Sequence, residues 1–391
     1  MSKLYEVKEQ PKKAFLVSIV TGAVNDESVC RELQGLSLSL GLVIAAHEKI
    51  RVREKSSKFG IGSGKAESLS QKAAELNADL IIIDWNPQKT ADKIKQESLN
   101  PSQQRNWEEL TGIPVLDRQE LIIRIFADRA NTKEAELQVK LAELTYFLPR
   151  LTHKYIDLSR QRGGRYGTKG SGETKLESDR RKIETRIHLL EKDIEKIREQ
   201  RSTQRRQRQK SNIPVCAIVG YTNAGKSSLL NALTGADVEA EDKLFCTLDS
   251  VTRRYELSRE KSVLLADTVG FIRNLPHSLI RAFRSTLEEA ALADILIHIL
   301  DASEPDIENN YETTVEVLRE LGAQDIPVIT LLNKIDRLPS GQKTNEECEI
   351  TYKEELQNRF PGSIPVSVKN GTGLDKLKES LLQKLITAVQ L

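Results

Sequence analysis

Four cysteines in 391 residues, Cys30, Cys216, Cys246 and Cys348, stand far apart along the chain. Spaced that way they form neither a disulfide framework nor a paired metal-ligand pattern, and they are expected to be reduced, structural thiols. No apolar run approaches the length of a bilayer, and residues 1–13 lack the apolar core of a secretory signal. A membrane protein is therefore not expected, and the expected compartment is the cytoplasm. The terminal Ala388-Val389-Gln390-Leu391 is no lipidation signal, so no membrane anchor is expected either. Aromatic residues make up only 5%, against 38% hydrophobic and 30% charged. That balance suits a soluble, helix-rich protein of more than one domain, expected to act as a monomer.

Net charge is also small, +2, but it is unevenly placed. Residues 160–210 hold 17 Lys and Arg against 8 Asp and Glu, which leaves the rest of the chain net negative. A basic stripe on an acidic chain is the usual footprint of a polyanion such as nucleic acid. A solvated helix face is the plainer explanation of such a run.

Short apolar runs at Phe15–Val20, Leu42–Ala45, Leu80–Ile83 and Pro114–Leu116 alternate with amphipathic stretches such as Lys65–Leu76. These are the marks of buried parallel strands with intervening helices, and they predict an α/β domain over 1–130. Leu137, Leu141, Leu144 and Leu148 then form a helical stripe that stops at Pro149. A second stripe runs through Ile183, Ile187, Leu190, Ile194 and Ile197. Two such stripes predict an antiparallel helical hairpin over 131–200. Its tip, 160–172, is rich in glycine and carries Arg160, Arg162, Arg165 and Lys169, too many charges to bury. These four are the candidate RNA-binding residues. Residues 201–212 read as a charged linker, and a further domain is expected over 213–391.

That last domain opens on an apolar run, Val215–Val219, followed by Gly220-Tyr221-Thr222-Asn223-Ala224-Gly225-Lys226-Ser227 and an apolar helix from Ser228. Strand, glycine-rich loop and helix in this order make a P-loop. Its amides and helix N-terminus face phosphate oxygens, Lys226 reaches the β- and γ-phosphates, and Ser227 ligates magnesium. Downstream, Leu264-Leu265-Ala266-Asp267-Thr268-Val269-Gly270 supplies a carboxylate for the magnesium shell and a glycine amide for the γ-phosphate. Between them Phe245-Cys246-Thr247-Leu248-Asp249 holds the threonine best placed to close over metal and γ-phosphate. Lys226, Thr247 and Gly270 are the catalytic candidates, and Ser227, Thr247 and Asp267 the metal candidates. In Asn333-Lys334-Ile335-Asp336 the Asp336 carboxylate can accept both guanine donors, a pair that adenine lacks. Asn333 would brace the base, Lys334 cover its face, and Ser367-Val368-Lys369 flank it. GTP is the expected substrate.

With those boxes the chain resembles the HflX family of ribosome-associated P-loop GTPases. The likeness also rests on Gly60-Ile61-Gly62-Ser63-Gly64-Lys65, Pro101-Ser102-Gln103-Gln104-Arg105-Asn106, Val115-Leu116-Asp117-Arg118 and the run from Gly172 to Arg181. It implies a parallel α/β domain and helical hairpin that bind the large ribosomal subunit and its RNA, joined to a Ras-like GTPase domain. It also implies GTP-driven dissociation of stalled or idle ribosomes. Some members are reported to use ATP through the N-terminal domain, where the glycines of 60–65 could cradle a phosphate. Competing classes are a signalling switch, an RNA-modification GTPase and an ATP-driven remodeller of ribosomal RNA.

Ras-like enzymes orient the attacking water with a glutamine just after the Asp-x-x-Gly element. Phe271 stands there and cannot hydrogen-bond a nucleophile, so slow turnover without a partner or a cation is expected. Asn223 can help place a potassium ion between the phosphates, or it is simply an asparagine suited to a turn.

Overall fold

The computed structural model describes residues 11–21, 26–53, 55–86, 98–161, 171–209, 213–236, 244–245, 248, 251–259, 261–273, 279, 284–338 and 354–389. Among them 152–161, 171–176 and 204–209 are described by backbone alone. Contacts divide the chain into two units, Met1–Asp128 with Glu143–Glu184, and Arg129–Ala142 with Thr185–Leu391.

The first unit alternates β1 (Lys13–Val20), α1 (Asp26–Ser39), β2 (Val43–Arg51), α2 (Ser63–Glu75), β3 (Leu80–Asn86), α3 (Pro101–Thr111), β4 (Val115–Asp117) and α4 (Arg118–Arg129). Its four strands are all parallel, in the order β2-β1-β3-β4. Phe15, Val17 and Ile19 of β1 meet Ile81, Ile83 and Trp85 of β3, with Leu69 of α2 and Trp107 of α3 against them. Helix α3 starts on a capping box in which Asn100 and Gln103 bond each other's backbone N–H, with Pro101 in its first turn.

Two long helices follow, α5 (Lys133–Gln161) and α6 (Ser171–Gln209). Glu134, in the first turn of α5, pairs with Arg201 near the end of α6 at 2.7 Å, an antiparallel meeting of those ends. Two expectations fail here. Helix α5 does not stop at Pro149 but passes through it. An internal proline removes a backbone bond, at a cost of about 3 kcal/mol. The adjacent Arg150 offsets that loss by donating to Asp117 Oδ2 at 2.8 Å, Gln104 Oε1 at 2.9 Å and the Tyr146 carbonyl at 3.1 Å. Nor do residues 201–212 form a linker from the start, because α6 continues to Gln209. Loss of an apolar stripe is not loss of helix here, because arginine and glutamine are good helix formers and no proline intervenes before Pro214. The 160–172 segment lies largely outside the described residues: Arg160 falls in the backbone of α5, and Arg162, Arg165 and Lys169 are not described. No described helix is long and apolar enough to cross a membrane.

The C-terminal part carries β5 (Val215–Gly220), α7 (Lys226–Thr234), β6 (Val251–Glu256), β7 (Ser262–Asp267), α8 (Arg284–Ala291), β8 (Ile295–Asp301), α9 (Ile307–Glu320), β9 (Val328–Asn333), β10 (Ile364–Pro365) and α10 (Leu374–Val389). The sheet order is β10-β9-β8-β5-β7-β6, parallel except for the edge strand β6. Ile218, Leu265, Ile297, Ile299 and Leu331 from the strands pack with Leu229 and Leu230 of α7 and Leu377 and Leu381 of α10. Parallel strands bring their carboxyl ends to one edge, so Gly220, Asp267, Asp301 and Asn333 finish side by side.

Candidate nucleotide site

At that edge β5 turns sharply into α7. Gly225 takes φ +101°, and a Cβ there would strike the side-chain amide of Asn333. Residue 225 therefore has to be glycine if the loop is to lie this close to β9. Asn223 has φ +60°, the left-handed conformation that asparagine tolerates, which gives it a conformational reason to be there. The buried Lys226 donates its Nζ to the Tyr221 carbonyl at 2.8 Å, so the ammonium curls under the loop instead of pointing into solvent. Ser228, next on the helix, is half-buried.

Ser227 Oγ donates to Asp267 Oδ2 at 2.7 Å, so two of the three metal candidates sit together. Both offer hard oxygen atoms, the donor type that magnesium takes. Among the described residues no cluster of three or more His, Cys, Asp or Glu offers an alternative metal site. Thr247 lies outside the described residues, and its neighbour Phe245 is buried with φ +59°. Gly270 presses against the loop: a Cβ on it would come within 2.8 Å of Lys226 Nζ and of Thr222 Cα.

The loops beyond β9 are tied together by one side chain. Asn333, almost fully buried, donates Nδ2 to the Ala224 carbonyl at 2.9 Å and accepts from the Val368 N–H at 3.1 Å. It therefore ties the phosphate loop to the loop at 367–369. Asp336 accepts from Ser367 Oγ at 2.6 Å, and that bond holds its carboxyl below the usual range, keeping it an ionised acceptor. Lys334, at φ +63°, pairs with Asp301 at 2.7 Å, which lays its stem across the end of β8. Lys369 is exposed and close enough to Asp336 to favour its charge.

Phe271 is not a side chain waiting beside the γ-phosphate. It is fully buried, and its backbone pairs with the loop: Thr222 N–H donates to its carbonyl at 2.8 Å, and its N–H donates to the Gly220 carbonyl at 3.1 Å. A hydrophobic residue suits this position because the position is core.

Several partners escaped the sequence reading. Asp301 had a signal, an acid closing the apolar run Ile295–Leu300. Arg273, which reaches Asp306 at 2.8 Å and whose N–H donates to the Tyr221 hydroxyl at 2.9 Å, had none. His298 lies buried on β8, stacked on Tyr311, and burial first, then Lys226, pushes its pKa down to about 3. Cys216 is an inert buried thiol with its pKa pushed up to about 12 by burial. In the first unit Gly62 and Gly64 sit at the exposed start of α2, where Gly62 is the N-cap and no side chain caps the helix, while Gly60 is buried ahead of it.

Comparison with known families places three profiles end to end. "GTP-binding GTPase N-terminal" matches residues 27–127, "GTP-binding GTPase Middle Region" residues 129–208, and "50S ribosome-binding GTPase" residues 215–334. The GTPase HflX of Akkermansia muciniphila is 43% identical over 99% of this chain and 88% of its own length. The GTPase HflX of Escherichia coli is 37% identical over 97% of this chain and 84% of its own length. Among solved structures, a GTP-binding protein from Sulfolobus solfataricus in complex with GDP is 27% identical, with a TM-score of 0.46 over 97% of this chain and 99% of that one.

Proposed function

Because this chain belongs to the HflX family of GTPases and is a GTP hydrolase, we propose that it binds the large ribosomal subunit and uses its GTP cycle to dissociate stalled or idle ribosomes in the cytoplasm. The observation that carries the partner is the 215–334 match, whose family is described as binding the 50S subunit. The basic charge concentrated over 160–210 supports an RNA surface there.

In this reading the amides of 223–227 and the N-terminus of α7 hold the phosphates. Lys226, already anchored under the loop at the Tyr221 carbonyl, neutralises charge developing between the β- and γ-phosphates. Gly270, packed on Thr222 and Lys226, offers its amide to the γ-phosphate. Ser227, Asp267 and Thr247 would hold magnesium, whose charge would offset that of the phosphates. Asp336 selects guanine, with Asn333, Lys334, Ser367 and Val368 holding its loop. Potassium beside Asn223 belongs to the same reading, as does the 1–130, 131–200 and 213–391 division of labour. With Phe271 in the core, no described side chain just after Gly270 serves the attacking water, which is why the subunit is assigned the stimulus.

The test is sedimentation with each subunit in GTP and in GDP, across a salt series. The wild type should bind the large subunit in GTP, with affinity falling steeply as salt rises. Neutralising Arg160, Arg162, Arg165 and Lys169 together should flatten that dependence and abolish ribosome splitting while basal hydrolysis survives. A quadruple variant that splits ribosomes at the wild-type rate would make the tip an ordinary connector.

A further inference from the structure

The hairpin of β6 and β7 carries charge that the nucleotide site does not use. Arg253, Arg254, Arg259 and Lys261 are all exposed, and none pairs with a carboxylate among the described residues. Arg254 instead reaches Ser262 Oγ at 3.1 Å, and Arg253 bonds the neighbouring Thr252 carbonyl at 3.1 Å. Against these four cations the hairpin sequence before Asp267 holds two acids, Glu256, which is exposed, and Glu260. Elsewhere in this protein exposed arginines are commonly paired, as with Arg180 to Glu184 and Arg359 to Glu355.

Among the described residues β6 is the edge of the sheet, pairing only with β7. Arg253 and Arg254 point to opposite faces of that strand, so they straddle the rim, and Arg259 and Lys261 extend the charge around the turn. Apolar side chains are turned away: Leu257 is buried, and Tyr255 packs into the core beneath α10. A protein-binding patch would be expected to centre on exposed aromatic or aliphatic groups, whereas a polar, cationic rim matches the character of nucleic-acid interfaces.

The hairpin is also joined to the chemistry. Val251, where β6 begins shortly after the segment holding Thr247, lies opposite Asp267, where β7 ends. Asp267 in turn bonds Ser227. A pull along β6 therefore bears directly on the residues assigned to the metal and the γ-phosphate.

We infer that the β6–β7 hairpin is a second contact with ribosomal RNA, laid along the outer edge of the GTPase sheet, and that this contact conveys the subunit's presence to the nucleotide site. The inference rests on the large-subunit reading above. It is tested with the full-length protein carrying Arg253→Gln, Arg254→Gln, Arg259→Gln and Lys261→Gln together. Each lost phosphate contact should reduce the log–log salt slope for large-subunit binding by roughly 0.7–0.9, so a fall of roughly 3–3.5 is expected from four. Subunit-stimulated GTP hydrolysis should drop by about tenfold or more, the scale of a lost transition-state contact. Basal hydrolysis should not change. If the thermal midpoint shows that the four-fold variant is unfolded, Arg259→Gln with Lys261→Gln, which lie at the turn, should give about half the slope change.

An unchanged slope and stimulated rate would overturn the inference. So would a variant that fails on intact subunits but binds deproteinised large-subunit RNA as well as the wild type, since the partner would then be a ribosomal protein. The wild type serves as control for the parent reading: if it binds no subunit at all, that reading falls first and this one with it.

Discussion

The two sheets of this protein are built on the same parallel plan and treat charge in opposite ways. In the N-terminal sheet the ionisable groups are turned on one another. Arg118 lies between Glu32 and Asp84, at 3.0 Å from the latter, all three buried. Asp117 is capped by Arg150, and Glu120 takes the Tyr146 hydroxyl at 3.3 Å. In the GTPase sheet the interior is apolar apart from His298, and the polar groups Lys226, Ser227, Asp267 and Asn333 gather at the carboxyl ends of the strands. One unit spends its charges on internal architecture, and the other holds them where a ligand binds in α/β folds. The charges of the first should therefore govern stability and those of the second should govern chemistry.

The largest effect that tests this division is Arg118→Met. It strands Glu32 and Asp84 without their counter-charge, and breaking a buried pair in this way typically costs about 3–5 kcal/mol. Hydrogen-exchange protection of β1 and β3 should collapse by a corresponding amount while GTP turnover stays at the wild-type rate. Retained protection would mean that the network adds little to the N-terminal sheet.

A smaller effect is expected from Asp336→Asn, which should leave both sheets as stable as before. Losing charge-assisted bonds to guanine costs about 1.5–3 kcal/mol, or roughly 10- to 150-fold in GTP affinity. Binding of xanthosine triphosphate, whose base presents an acceptor where guanine has an amine, should rise. Equal GTP affinity in competition assays would remove Asp336 from base recognition.

Most of the scaffold was legible because its signals are local. The four N-terminal apolar runs appear as β1 to β4, and the P-loop stands between strand and helix as its glycines require. Sequence reading failed where tertiary contacts override local preference. Pro149 should break a helix, and the bonds that Arg150 makes beside it to Asp117 and Gln104, 33 and 46 residues away, are tertiary contacts that no local signal shows. It failed again where helices need no stripe, as in α6 beyond Ile197. In the site, the spacing of the boxes gave Lys226, Ser227, Asp267, Asn333 and Asp336 as neighbours. Spacing could not show that Asn333 joins two loops, or that Phe271 is core, because both depend on strands meeting across the sheet.

The smallest expected effect is also the sharpest contrast, since it differs in sign between the units. Burial raises the Asp117 pKa to about 6 from an ordinary 3.8, so between those values the folded protein binds more protons than the unfolded chain. Stability from this group is therefore full below the lower value and is lost as pH rises through the window. His298 behaves the other way. Its pKa is lowered to about 3 from 6.5, so the unfolded chain binds more protons, and stability is full above 6.5 and is lost as pH falls. Each group can tilt stability by at most about 1.4 kcal/mol per pH unit. Between pH 4.5 and 5.5, protection of β3 and β4 should weaken on raising the pH, and that of β5 and β8 should strengthen, once intrinsic exchange is corrected for. Asp117→Asn should remove the first slope only, and His298→Gln the second only. If both sheets tilted the same way in the wild type, the opposite treatment of buried charge would not be what distinguishes them.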